Sequence, residues 1–132
     1  MLKKNKNLGV FSFIGNKFTN KGTSKILSAL RFNTSLKKLS LGSKYINSEA
    51  FCNLPNFLSF NKTLLILEIR SSKFGDKMLQ NLSKIFLYNN TLVDIFLVDN
   101  LLTYESIVSF GQFIIKNKTI NTIKVMFNAQ RN

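Results

Sequence analysis

Catalysis by general acids and bases, nucleophiles or metals needs convergent carboxylates, imidazoles or thiolates. This chain of 132 residues has six acidic residues, no His and one Cys, Cys52. Imidazole catalysis, a Cys/His dyad, an internal disulfide and a Cys/His zinc site are therefore excluded. One carboxylate pair stands out, Glu68 and Asp94, which the periodicity described below places on neighbouring strands. Two carboxylates can exchange protons or hold a hard cation. Here Arg70 and Lys124 share the neighbourhood and no third ligand is visible, so the group reads as a solvated charge cluster. Neither G-x-x-x-x-G-K-S/T nor G-x-G-x-x-G occurs, so no loop is built to cradle phosphate. The expectation is a chain that is not an enzyme, with no cofactor, no metal and no small-molecule substrate.

The elements that position these side chains follow from a period. Asn61-Lys62-Thr63-Leu64-Leu65-Ile66-Leu67-Glu68-Ile69 reads N-x-T followed by L-x-x-L-x-L. The phrase recurs 28 residues upstream, from Asn33 to Leu41, and 28 residues downstream, from Asn89 to Leu97. A fixed period of this length marks a solenoid of supersecondary units that bury a core by stacking. The units start at Leu8, Leu36, Leu64, Leu92 and Ile120. Counting each start as position 0, positions 0, 3 and 5 are apolar in all five units. Apolar residues at 3 and 5 predict a short strand with one face buried. Positions 15, 18 and 22 carry Thr23, Ile26, Leu30; Phe51, Leu54, Leu58; Leu79, Leu82, Phe86; and Ile107, Phe110, Ile114. Spacings of three and four place these on one face of a helix. Pro55 should start or kink the second helix, and Gly111 should weaken the fourth. Position 25 is Asn in every case (Asn33, Asn61, Asn89, Asn117), a residue that tolerates the left-handed conformation and so predicts a helix stop. Four of the five N-x-S/T sequons are this same turn.

The expected fold is an α/β leucine-rich-repeat solenoid, a partial horseshoe with parallel strands on the concave face and helices on the convex face. It reads as one domain over residues 1–132 with no linker. Neither end shows a polar capping unit, so the sequence reads as a fragment lacking caps. The apolar run Leu8 to Gly15 after Lys3, Lys4 and Lys6 has a faint look of a signal peptide, but it falls in register with the repeat and is read as the first strand. No apolar run is long enough to span a membrane, and a lone Cys fits a reducing compartment, so a cytoplasmic location is expected.

The 28-residue unit resembles the ribonuclease-inhibitor-like class of leucine-rich repeats, whose pattern is L-x-x-L-x-L-x-x-N-x-L, then a helix, then N-x-T/S-L. The match runs from Asn5 to Asn128, although the usual Gly at position 14 appears only as Gly22. Proteins of this class include the ribonuclease inhibitor, NOD-like receptors, tropomodulins and the activators of the Ran GTPase. The resemblance implies a protein-binding scaffold.

Positions 2, 4 and 6 alternate with the buried 3 and 5, so they should line the open strand face. Towards the C-terminal units they give an apolar patch of Ile66, Phe96, Val98 and Met126. Glu68, Arg70, Asp94 and Lys124 border it, with Lys38 and Ser40 on the strand before. Such a patch with a charged rim fits a protein partner. The alternative is a polyanion binder, for RNA or an anionic surface. Net charge is +13, and residues 1–44 hold ten Lys or Arg and no acid. Nucleic acid is disfavoured because Phe11, Phe13 and Phe18 beside those bases occupy core positions of the repeat and are not free for stacking. A further alternative is a regulatory activator of a GTPase or another enzyme, though no residue of the chain identifies itself for that role.

Overall fold

Every unit begins with alternating apolar residues, and each forms a strand in a computed structural model that describes residues 2–128. The strands are β1 (Val10–Ile14), β2 (Lys38–Gly42), β3 (Ile66–Arg70), β4 (Asp94–Val98) and β5 (Thr122–Met126). They pair in parallel in the order β1-β2-β3-β4-β5, and residues one repeat apart lie side by side. Parallel neighbours need a crossover, and the helices supply it: α1 (Asn20–Leu30), α2 (Leu54–Phe60), α3 (Asp76–Phe86) and α4 (Tyr104–Ile114). The arrangement is solenoid-like.

The core lies between sheet and helices. Leu39, Leu41, Leu67, Ile69, Ile95 and Leu97 from the strands meet Leu30, Leu54, Leu58, Leu79, Leu82 and Phe86 from the helices, all fully buried. The core thins at both ends. Leu8 and Phe11 in the first unit, and Ile120, Ile123 and Val125 in the last, are only partly buried, because each packs against one neighbouring unit instead of two.

Local chemistry sets the helix boundaries. Thr19 caps α1 by accepting the Gly22 N–H, and Thr103 caps α4 by accepting the Ser106 N–H. Pro55 lies in the first turn of α2, where its missing N–H costs nothing, so that helix starts there rather than kinking. The residues before it form only a single 3-10 turn, Ser48–Phe51. Gly111 does not interrupt α4, which runs unbroken from Tyr104 to Ile114. A Cβ at Gly111 would meet no atom within 4 Å. Gly111→Ala should therefore raise stability by about 1 kcal/mol, read as a higher urea midpoint.

The position-25 asparagines do not use the left-handed conformation. None of them has a positive φ, and Asn61 is extended at φ −73°, ψ 129°. Their side chains do the work instead. Oδ1 of Asn61 accepts the Thr63 and Leu64 N–H groups at 2.9 and 2.8 Å, while Nδ2 donates to the Asn33 carbonyl at 2.8 Å. Asn33, Asn89 and Asn117 repeat the pattern, each donating to carbonyls of the preceding unit. Asn5 accepts the Asn7 and Leu8 N–H groups in the same way, so residues 5–8 form the turn that opens the first strand.

A second inter-unit link ties α3 to α4. The Asp76 carboxylate accepts the Thr103 N–H at 2.9 Å and the Thr103 hydroxyl at 2.6 Å. Burial raises the Asp76 pKa, but hydrogen bonds from the Ser106 and Thr103 side chains and the Thr103 backbone outweigh it, leaving it below its ordinary 3.8. A depressed folded-state pKa adds stability above the unfolded-state value and loses it as pH falls through the folded-state value. Asp76→Asn should therefore lower the melting temperature near neutrality. The gap to wild type should close as the solution is acidified below about pH 4. A gap that persists unchanged in acid would mean that the carboxylate charge is not what Thr103 recognises.

Candidate protein-binding face

The sheet face away from the helices is built from positions 2, 4 and 6 of each strand, as the alternation requires. Parallel register sorts these side chains into rows. One row is Lys38, Ile66, Asp94 and Thr122; the next is Ser40, Glu68, Phe96 and Lys124; the third joins Arg70, Val98 and Met126. Seven of the ten residues expected on this face line one depression of about 310 Å3: Lys38, Glu68, Arg70, Phe96, Val98, Lys124 and Met126.

The other three lie apart from it. Ser40 is buried beneath Glu68 and donates its hydroxyl to Oε2 at 3.0 Å, so it positions the carboxylate rather than meeting a partner. Ile66 and Asp94 are half-buried in the neighbouring row. Glu68 and Asp94 are on adjacent strands but not opposite each other, because Glu68 faces Phe96. The expected solvated carboxylate cluster is also corrected at Glu68. This residue is 9% exposed and holds Arg70 Nη2 at 2.7 Å from Oε1, the one ion pair among the described residues. Two residues apart on one strand, they share a face, and Ser40 satisfies the second carboxylate oxygen. Arg70 is thereby fixed with about half its surface still open to solvent. No group of three metal-binding side chains occurs among the described residues.

Apolar surface makes up the rest. Phe96 and Val98 are half-buried and Met126 is exposed, with Lys124 Nζ 5.7 Å from the Phe96 ring centre. Phe127, absent from the expected set, completes the wall and is 72% exposed. It occupies position 7, where Gly15, Ser71 and Asp99 turn the chain with positive φ. Phe127 does the same at φ 56°, a conformation that disfavours bulky residues. The signal was present in the aligned repeats, as a phenylalanine in a column of small turn residues.

No protein-family model matches the chain, and no curated protein sequence matches it. Solved structures do. The tropomodulin C-terminal domain of Caenorhabditis elegans superposes with a TM-score of 0.85 at 14% identity, covering 98% of this chain and 80% of that one. Leiomodin-1 actin-binding site 2 superposes with a TM-score of 0.85 at 20% identity, covering 93% of this chain and 73% of that one. At this level of identity the likeness establishes a shared fold, to which this chain contributes five parallel strands and four helices.

Proposed function

We propose that the chain is a single leucine-rich-repeat domain of the ribonuclease-inhibitor-like class, curved with its strands on the concave side. It binds a protein partner through that face, without catalysis, in the cytoplasm. The observation that carries the reading is the depression itself. Its walls are Phe96, Val98, Met126 and Phe127, and its rim carries Lys38, Arg70 and Lys124. A volume of about 310 Å3 takes one large side chain. Glu68 is already neutralised by Arg70, so the rim's remaining charge is positive. The complementary partner presents an apolar side chain flanked by acidic residues, with the apolar contact supplying affinity and the cations orienting it. Enrichment of aromatic, Met and Arg side chains at interface centres supports the same reading. Because one neighbour in fold is named for an actin-binding site, actin is the first partner to assay.

The test leaves the Glu68–Arg70 pair intact, since removing Arg70 would strand the mostly buried Glu68 carboxylate and removing Glu68 would free the Arg70 guanidinium. Phe96→Ala with Met126→Asp removes the apolar wall from exposed or half-buried positions. The double variant should weaken the partner by about 3 kcal/mol, roughly a hundredfold in affinity. Parallel capture from lysate, with purified actin assayed separately by co-sedimentation, reads the loss. Partners retained equally by wild type and variant would place binding elsewhere on the molecule.

A further inference from the structure

The net charge of +13 is sorted by edge of the solenoid, and that edge also carries unpaired apolar side chains. Between each helix end and the next strand the chain crosses one edge of the molecule. Cations stand at all of these crossings but one: Lys3, Lys4 and Lys6 before β1, Arg31 and Lys37 between α1 and β2, Lys62 between α2 and β3, and Lys116 and Lys118 between α4 and β5; the crossing from α3 to β4 has none, and Lys84 precedes it in the last turn of α3. None brings an acid. Glu49, Asp76 and Glu105 lie where helical turns begin, Asp99 follows β4, and Glu68 and Asp94 lie within strands. The position-25 asparagines bond each crossing to the preceding unit, at Asn33, at Leu58 within α2 and at Asn89, so the crossings lie side by side as one surface.

Helix C-termini favour cations, and that alone would explain scattered lysines. It does not explain the apolar side chains standing among them. Phe32, Phe60 and Tyr88 occupy the same position of successive units and are 51%, 52% and 81% exposed. Leu65, Leu87 and Ile115 are exposed beside them, Ile115 at 84%. The Phe32 and Phe60 ring centres are 6.2 Å apart, and the Arg31 guanidinium lies 4.9 and 4.1 Å from them. Lys3 Nζ stands 5.2 Å from the Phe32 ring centre.

We propose that this edge docks on an anionic lipid bilayer surface, the aromatic and aliphatic side chains entering the headgroup–acyl boundary and the cations meeting lipid phosphates and carboxylates. Charge complementarity and the mixture of apolar types select this occupant. Single-stranded nucleic acid would need free aromatic faces for stacking. Here the guanidinium already lies against both phenylalanines, and leucine and isoleucine offer no stacking surface. Long cationic side chains lying over half-exposed apolar rings suit a membrane interface. Among the described residues no helix is long and apolar enough to cross a membrane, so docking is on the surface. The edge is distinct from the strand face, and the two could be occupied together.

Vesicle co-sedimentation of the full chain tests the proposal. Wild type should bind vesicles of phosphatidylcholine with about one-fifth phosphatidylserine, release as salt rises, and ignore phosphatidylcholine alone. Lys62→Glu, Lys116→Glu and Lys118→Glu together should lower the partition coefficient by about a hundredfold or more. Phe60→Ser, Tyr88→Ser and Ile115→Ser together should lower it by about tenfold while leaving the charge intact. Lys17→Glu with Lys73→Glu, exposed away from this edge, should change it far less. Equal loss from both charge sets would show diffuse attraction and overturn the assignment of the edge. So would absence of vesicle binding in the wild type, or binding of a single-stranded oligonucleotide that the aromatic variant abolishes while vesicles are ignored.

Discussion

Asn61→Ala should cost about 3–5 kcal/mol of folding stability, a large share of the roughly 5–15 kcal/mol that holds a typical domain together. The residue is 2% exposed, so water cannot take over its bonds. Truncation orphans the Thr63 and Leu64 N–H groups and the Asn33 carbonyl in one step. Each unsatisfied buried group costs about 1–3 kcal/mol, and the three are not independent. Because Asn61 ties the second unit to the first and holds the turn that leads into the third, the loss falls inside the stack. Asn117→Ala removes the corresponding bonds at the last crossing, with one more donated to the Phe86 carbonyl, but Asn117 is only half-buried and water can replace them, so it should cost clearly less. Urea midpoints at matched slopes decide it. Equal and mild effects at both positions would show that the asparagine ladder is not what couples the units.

The asparagines show which link of the argument the sequence supports. Their recurrence every 28 residues located the turns, and the turns are where expected. A left-handed helix stop would be purely local, whereas the side chain combines local Oδ1 bonds to the next turn with Nδ2 bonds that reach 28 to 31 residues back along the chain. A single unit read alone cannot show contacts that exist only after stacking. The open strand face behaves the same way. Alternation identified the residues that share the face, since period two is a property of one strand. Burial of Ser40 and Glu68 depends on which side chains meet across strands, so Glu68 could not be told from a solvated acid until Ser40 and Arg70 lay against it. The distribution of charge also depends on stacking. Counting along the chain gathers the bases into the first 44 residues, whereas folding with period 28 gathers the acid-free crossings onto one edge.

Gly42→Ala should destabilise the protein by about 3 kcal/mol and disturb the proposed binding face as well. At position 6 the other strands carry Ile14, Arg70, Val98 and Met126, so a side chain is ordinarily welcome there. At Gly42 it is not. An added Cβ would overlap the carbonyl oxygen of Arg70 and stand 2.9 Å from its carbonyl carbon. Both are backbone atoms, which cannot swing aside like the tip of a side chain. The local ladder explains the close approach. Gly15, Ser71 and Asp99 each donate their N–H to the position-6 carbonyl of the next strand. Ser43 instead donates to the Ser72 hydroxyl at 3.1 Å, and the Arg70 carbonyl accepts that hydroxyl at 2.9 Å. Pairing of β2 with β3 accordingly ends at Leu41 and Ile69. The second unit thus leaves its strand with Ser43, rather than Lys44, turned into the interior. Making room for a methyl group would push the Arg70 backbone away and loosen the guanidinium from Glu68, although no side chain of the proposed binding face has been changed. Partner affinity should therefore fall together with stability in Gly42→Ala, whereas Phe96→Ala with Met126→Asp should lower affinity with a smaller stability loss. Unchanged affinity in a destabilised Gly42→Ala protein would separate Arg70 from binding and confine recognition to the apolar wall.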